Sequence, residues 1–257
     1  IIDSIQSCYA DTAQSLPGSI GQLRESAYEL MRLSKEKNIA IIASGHITKD
    51  GTMAGPKTLE HMVDAVFYLQ GEDRWDTRVL RSVKNRFGSI CEIGFFKMTQ
   101  SGLEEIANIN SYLLDDITFS PGAILTSSIA GTRPLLIELQ ALCVATKYSV
   151  PQRIISGIDY KQVALIAAIL EKYLKVKFSA HDIFFKVSGG LKIQESSSDL
   201  AIALALLSSF FQKPLPEKSI ALGEISLTGH IKPINHIDQQ IKEACKFGLQ
   251  NIFISKK

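Results

Sequence analysis

An α/β architecture follows from three features of the sequence. Short apolar runs such as residues 39–43 fit buried strands, segments with helical apolar spacing alternate with them, and two strand-like runs flank a tight bend at Asn85-Arg86-Phe87-Gly88-Ser89.

The elements follow in order. Ile1-Ile2-Asp3 reads as the end of a buried strand that delivers a carboxylate, and residues 8–22, polar with Gly and Pro, read as a loop. Leu23, Ala27, Leu30 and Met31 recur at i, i+4, i+7 and i+8, which predicts a helix closed by Lys35-Glu36-Lys37-Asn38. Residues 39–43 are then expected as a buried strand, 46–58 as a loop, and 59–69 as a second amphipathic helix with Leu59, Met62, Val63 and Val66 inward. Strands are expected at 78–85 and 91–98. The stretch 111–122 carries acids, Pro and Gly with little periodicity and reads as a domain boundary. Beyond it the expected elements are strands at 135–143, 183–187 and 221–227 and helices at 160–174, 199–211 and 237–247. The predicted organisation is a domain at 1–112, a linker at 113–123 and a second α/β domain at 124–257.

With 257 residues, 46% of them hydrophobic and 21% charged, the chain has the composition of a soluble globular protein. A net charge of +2 is too mild for a global polyanion field, so any nucleic-acid contact must come from local clusters. Cys8, Cys91, Cys143 and Cys245 form no C-x-x-C pair, and reduced thiols in a cytoplasmic protein are expected. The run 200–211 falls short of the ~20 apolar residues of a membrane span, so no membrane partner is expected. No targeting segment is read. The opening without methionine leads to the expectation of a piece from a longer chain.

Three groups point to phosphate chemistry. Asp3 at a strand end offers the oxygen donor that Mg²⁺ takes, or simply a polar turn. His46 follows a short apolar run and either senses a phosphate or satisfies a loop carbonyl. Lys84 and Arg86, two residues apart at the start of the bend, either converge on one anion such as a phosphoryl group or form a solvated hairpin tip.

The series IIDSIQ, SGHITKDGTMAGPKTLEHMVDAVFYLQGE, RVLRSVKNRFGSICEIGFFKM, GTRPLLIELQAL and GEISLTGHIKPI resembles, in that order, the RadA (Sms) family of bacterial DNA-repair proteins. Members are RecA-like ATPases with a Lon-protease-like C-terminal domain, and the resemblance covers essentially the whole chain as the C-terminal part of such a protein. It implies part of a RecA-like ATPase domain at 1–112, from the Walker B strand onward, and a Lon-protease-like domain at 124–257. Asp3 is then the Walker B acid and a Mg²⁺ ligand, and His46 the nucleotide sensor. Residues 8–22 and 46–58 are the DNA-facing loops, with Lys49 and Lys57 as contacts. Lys84 and Arg86 are implied to reach the γ-phosphate of ATP in a neighbouring subunit. The family's Walker A loop and zinc-binding cysteines do not occur in this sequence, so zinc is expected only in a finger outside it.

In the Lon-like part, Ser197 stands at the nucleophile's place and Asp238 at that of the catalytic lysine, with Lys242 one turn beyond. A carboxylate cannot act as a neutral lysine base, so no peptidase activity is expected. The family resemblance makes this domain a scaffold and DNA surface with Arg133, Arg153, Lys192, Lys232 and Lys242 as contacts. Gln162 and Gln240 stand where arginines are common in relatives. The implied function is an ATP- and Mg²⁺-dependent motor that acts on single-stranded and branched DNA, drives branch migration with RecA and self-associates as a ring, expected to be a hexamer. The fragment alone is expected to be inactive. The rival readings are a Ser/Lys peptidase and a purely structural assembly module.

Overall fold

A computed structural model gives the fold of residues 1–13, 15–16, 18–46, 56–71, 77–115, 117–147, 149–188, 191–193 and 195–256, with the backbone alone at 56–58. By contact the chain divides into two compact units, Ile1–Tyr68 with Arg81–Glu92, and Leu69–Leu80 with Ile93–Lys257. The sequence-drawn linker at 113–123 lies inside the second of these.

In the first unit, helix α1 (Ile20–Lys37) forms where the periodicity places it. Ser19 caps it by accepting from Gln22 N, and Asn38 ends it in the left-handed conformation, at φ 51°. Leu23 and Ala27 bury their face with Ile5 and Leu59, and Leu30 and Met62 pack alongside. Two expectations fail. The helix expected at 59–69 is α2 (Pro56–Met62), and the chain then enters strand β1 (Ala65–Gly71). Val66, Phe67, Tyr68 and Leu69 are a β-branched and aromatic run whose strand preference prevails over helical spacing. Residues 39–43 are not a buried strand. They make one parallel bridge, Ile2 to Ala43, and leave Ile39 and Ile42 at 47% and 65% exposure, because that single bridge covers neither face.

Strands β1, β2 (Thr77–Asn85), β3 (Ile93–Thr99) and β4 (Gly102–Glu105) form a sheet in sequential order. The short β4 was not expected. It pairs with β3 antiparallel, with Phe96 opposite Glu105 and Thr99 opposite Gly102.

The second unit holds helix α3 (Ile109–Leu114), strands β5 (Ala123–Ala130), β6 (Arg133–Ala145) and β7 (Arg153–Ser156), and helix α4 (Tyr160–Leu174). Next come β8 (His181–Val187), α5 (Asp199–Phe211), β9 (Ser219–Leu222), β10 (Glu224–Ile225), β11 (Ile231–Lys232), α6 (Ile237–Lys246) and β12 (Asn251–Ile254). Six strands build a mixed sheet in the order β12-β9-β5-β6-β8-β7. Along β6, Leu135, Ile137, Leu139, Ala141 and Cys143 face one way and join residues of α4 and α5 in the main core. Leu136 faces the other way and packs with Leu125 and Ile220 and with Ala244 of α6. The alternation is that of strands buried on both faces. Gly122 enters the sheet at φ +91°, where a Cβ would lie 2.1 Å from the Ala141 carbonyl oxygen, so only glycine fits. The strand expected at 221–227 is split by Gly223 into β9 and the two-stranded β10–β11 pair. No helix among the described residues is long and apolar enough to cross a membrane.

Candidate functional site

In the first unit, α2, β1 and β2 bring together the two cations singled out in the sequence. Lys84 Nζ donates to the Glu60 carbonyl at 2.6 Å and to the His61 carbonyl at 3.3 Å, at the C-terminal end of α2. A cation suits the negative end of the helix dipole. Arg86 is held at both ends: its backbone N–H donates to Asp64 O at 3.0 Å, and Nη1 donates to Asp64 Oδ1 at 2.9 Å. Both side chains stay half-exposed, at 57% for Arg86 and 49% for Asp64. The bend itself is shaped by Asn85, whose Oδ1 accepts from Phe87 N at 3.0 Å, and Phe87 projects from it at 82% exposure. The two cations therefore do not share one intramolecular partner. Tyr68 donates to the Glu60 carboxylate at 2.6 Å, and that bond, ahead of burial, raises the phenol's pKa.

Asp3 and the segment that leads to His46 lie at the same end of the Ile2–Ala43 bridge. Ser44 Oγ donates to Asp3 Oδ1, the Asp3–Ser4 peptide is cis, and both Asp3 and His46 are exposed. Lys49 and the side chain of Lys57 lie outside the described residues. The loop at 8–22 has an organiser that sequence reasoning missed. Gln22 is fully buried, and its Nε2 donates to the carbonyls of Ala10, Ala13 and Ser15 at 3.0–3.2 Å while its Oε1 accepts from Ala10 N at 3.0 Å.

In the second unit, Ser197 lies in the 3₁₀ turn ahead of α5, 8% exposed, and its Oγ donates to Glu195 Oε2 at 3.2 Å. Asp238 is in the exposed first turn of α6, and Lys242 one turn later is also exposed. Neither makes a hydrogen bond to Ser197 among the described residues. The buried acid at the head of α5 is Asp199, which accepts from Gln162 Nε2 at 2.8 Å and from Ile225 N at 3.1 Å. Burial pushes its pKa up, the two donors pull it down, and the Glu224 charge adds to the rise. Beside it a cavity of about 460 Å³ is lined by Gly157, Ile158, Asp159, Gln162, Lys192 and Ile193.

The basic residues expected to meet DNA differ in availability. Arg133, Lys192 and Lys242 are exposed. Lys232 pairs with Glu224 at 3.8 Å. Arg153 is half-buried, with Nη1 enclosed and without a hydrogen-bond partner, so part of its guanidinium faces protein. Among the described residues no group of three His, Cys, Asp or Glu could hold a metal.

Asp64, Gln22 and Asp199 were not singled out in the sequence. An acid two residues past a helix end, or a glutamine in a helix's first turn, has no local signal for a bond made 7 to 37 residues away.

Comparison with known proteins adds two findings. The family described as subunit ChlI of Mg-chelatase matches residues 158–257, within the second unit. Over its whole length the chain is 43% identical to the DNA repair protein RadA of Halalkalibacterium halodurans and 45% identical to that of Synechocystis, covering 56% and 51% of those proteins. It is 43% identical to RadA of Bacillus subtilis over 99% of its length. The chain thus spans about half the length of these curated relatives, and over essentially its whole length it is similar to proteins named DNA repair protein RadA.

Proposed function

We propose that this chain is part of an ATP-driven DNA motor of recombinational repair, one that promotes branch migration of recombination intermediates alongside RecA. The observation that carries the reading is the end-to-end similarity to proteins named DNA repair protein RadA. The geometry of the Lys84–Arg86 bend supports it. Two cations held at an exposed tip, with an exposed aromatic beside them, suit insertion into a neighbouring copy within a ring, which we take to be a hexamer. There they would neutralise charge on the γ-phosphoryl oxygens of the neighbour's ATP, where phosphoryl transfer gains most from positioned cations.

Asp3 fits a Mg²⁺ role as far as one residue can, since its exposed carboxylate is the hard oxygen donor that the ion prefers. When bound, Mg²⁺ neutralises phosphate charge. Asp3 would hold the ion, with Ser44 fixing the carboxylate's direction through its hydrogen bond. The second unit then offers a DNA surface through Arg133, Lys192 and Lys242, with Lys232 and Arg153 as lesser contributors because each is partly engaged by protein. A peptidase role is disfavoured because Ser197 donates to a carboxylate and, among the described residues, has no amine as hydrogen-bond partner.

The test is DNA-stimulated ATP hydrolysis by the full-length protein. Lys84→Ala and Arg86→Ala should each lower turnover by orders of magnitude while rings still assemble. Arg86→Lys should restore little, since an ammonium lacks the planar fork. Normal turnover in either alanine variant would sink the trans clamp.

A further inference from the structure

We propose that Asp64 is a positioning residue for the trans clamp: it sets the direction of Arg86 so that the remaining guanidinium nitrogens face an anion supplied by a neighbouring copy. The inference rests on the clamp reading above and adds a residue to it.

Asp64 and Arg86 are 22 positions apart and are joined twice. The Arg86 N–H to Asp64 carbonyl bond of 3.0 Å fixes the two backbones side by side, and the Nη1 to Oδ1 contact of 2.9 Å fixes the far end of the side chain. An arginine tethered at both ends has lost much of its rotamer freedom before any ligand arrives, so less ordering entropy remains to oppose anion binding. Only one guanidinium nitrogen is used. Among the described residues Nη2 and Nε have no partner, and with the side chain 57% exposed they can form a two-point contact with a phosphoryl group. Lys84 is fixed in the same manner by the Glu60 and His61 carbonyls. Both cations are thus oriented by one short segment, 60–64, at the end of α2.

A half-exposed ion pair of this kind adds little to fold stability. A geometry that leaves the fork open is accounted for by orientation rather than by packing. As Asp64 is itself exposed, replacing it leaves the fold intact.

The test is steady-state ATP hydrolysis with single-stranded DNA in the full-length protein. Asp64→Ala should lower kcat about tenfold, with the KM for ATP changed less than twofold, because the neighbour's own nucleotide contacts are untouched. Asp64→Asn keeps the Oδ1 acceptor and should recover at least half of the wild-type kcat. The double variant Asp64→Ala with Arg86→Ala should be no slower than Arg86→Ala alone, since Asp64 acts only through Arg86. An unchanged or raised kcat in Asp64→Ala, while Arg86→Ala is impaired, overturns the positioning role and leaves the clamp standing. Additive losses in the double variant overturn it as well. Normal turnover in Arg86→Ala removes the clamp itself, and the proposal with it.

Discussion

Gln162 Nε2 lies 2.8 Å from Asp199 Oδ1 and donates to it from one helix to the head of another, while also reaching the Glu195 carbonyl at 3.2 Å. The acid is 6% exposed, and among the described residues its donors are neutral. Its pKa is raised in the folded state, so its charged form opposes folding. Stability tied to this group is therefore present in full below the ordinary carboxylate range and lost as pH rises through the raised value.

Gln162→Leu should expose that dependence. Removal of the donor leaves a buried carboxylate short of a partner and should cost about 2 kcal/mol at neutral pH. The cost should shrink toward pH 4 as the carboxyl takes up a proton. Thermal unfolding of the variant and parent across this range checks the sign, and a penalty that grew on acidification would refute the assignment.

Gln22→Leu should unfasten the loop at 8–19. Two N–H groups shared among three carbonyls and one accepted N–H are lost from a fully buried side chain, at about 0.5–1.5 kcal/mol per full hydrogen bond. Limited proteolysis should find new cleavage there, while the spectrum of the second unit stays native. Gln22→Glu should fare worse, since it replaces the amide donor by a carboxylate oxygen facing three carbonyls.

For DNA binding, the expected slope of log K against log salt on duplex DNA is about −3 to −4.5, for roughly three to five phosphate contacts at ~0.9 each. Lys242→Ala should flatten it by about one unit. Lys232→Ala should do less, because Glu224 already holds that ammonium. Affinity that ignored salt would move the DNA surface away from these residues.

A serine-directed fluorophosphonate should leave Ser197 unlabelled, and Ser197→Ala should leave repair function unchanged. Labelling that Lys242→Ala abolished would show that a displaced lysine serves as base after all.

How far the sequence carried these conclusions depends on the range of the interaction. Helices α1, α4 and α6 were legible because their apolar spacing repeats within one segment, and α5 as a long apolar run buried on nearly every face. Residues 39–43 were misread because strand burial requires neighbours, which local pattern does not report. At 59–69 two periodicities overlapped, and the aromatic run after Met62 prevailed. Strand β5 was missed because Thr126, Ser127 and Ser128 look polar, although Thr126 and Ser127 are fully buried and Thr126 Oγ1 donates to the Ala221 carbonyl. In the candidate site, the residue types at 84 and 86 were evident, but their tethers to 60, 61 and 64 were not.

An ammonium has three N–H groups, and at Lys84 two of them are already committed to the carbonyls that end α2. One phosphate oxygen can occupy the third without disturbing either bond. A second oxygen would have to displace one of these carbonyls. Under the proposed clamp, Lys84 would therefore have room for one phosphate oxygen beside its two carbonyls, and a second oxygen would compete with the contacts that hold it at the end of α2.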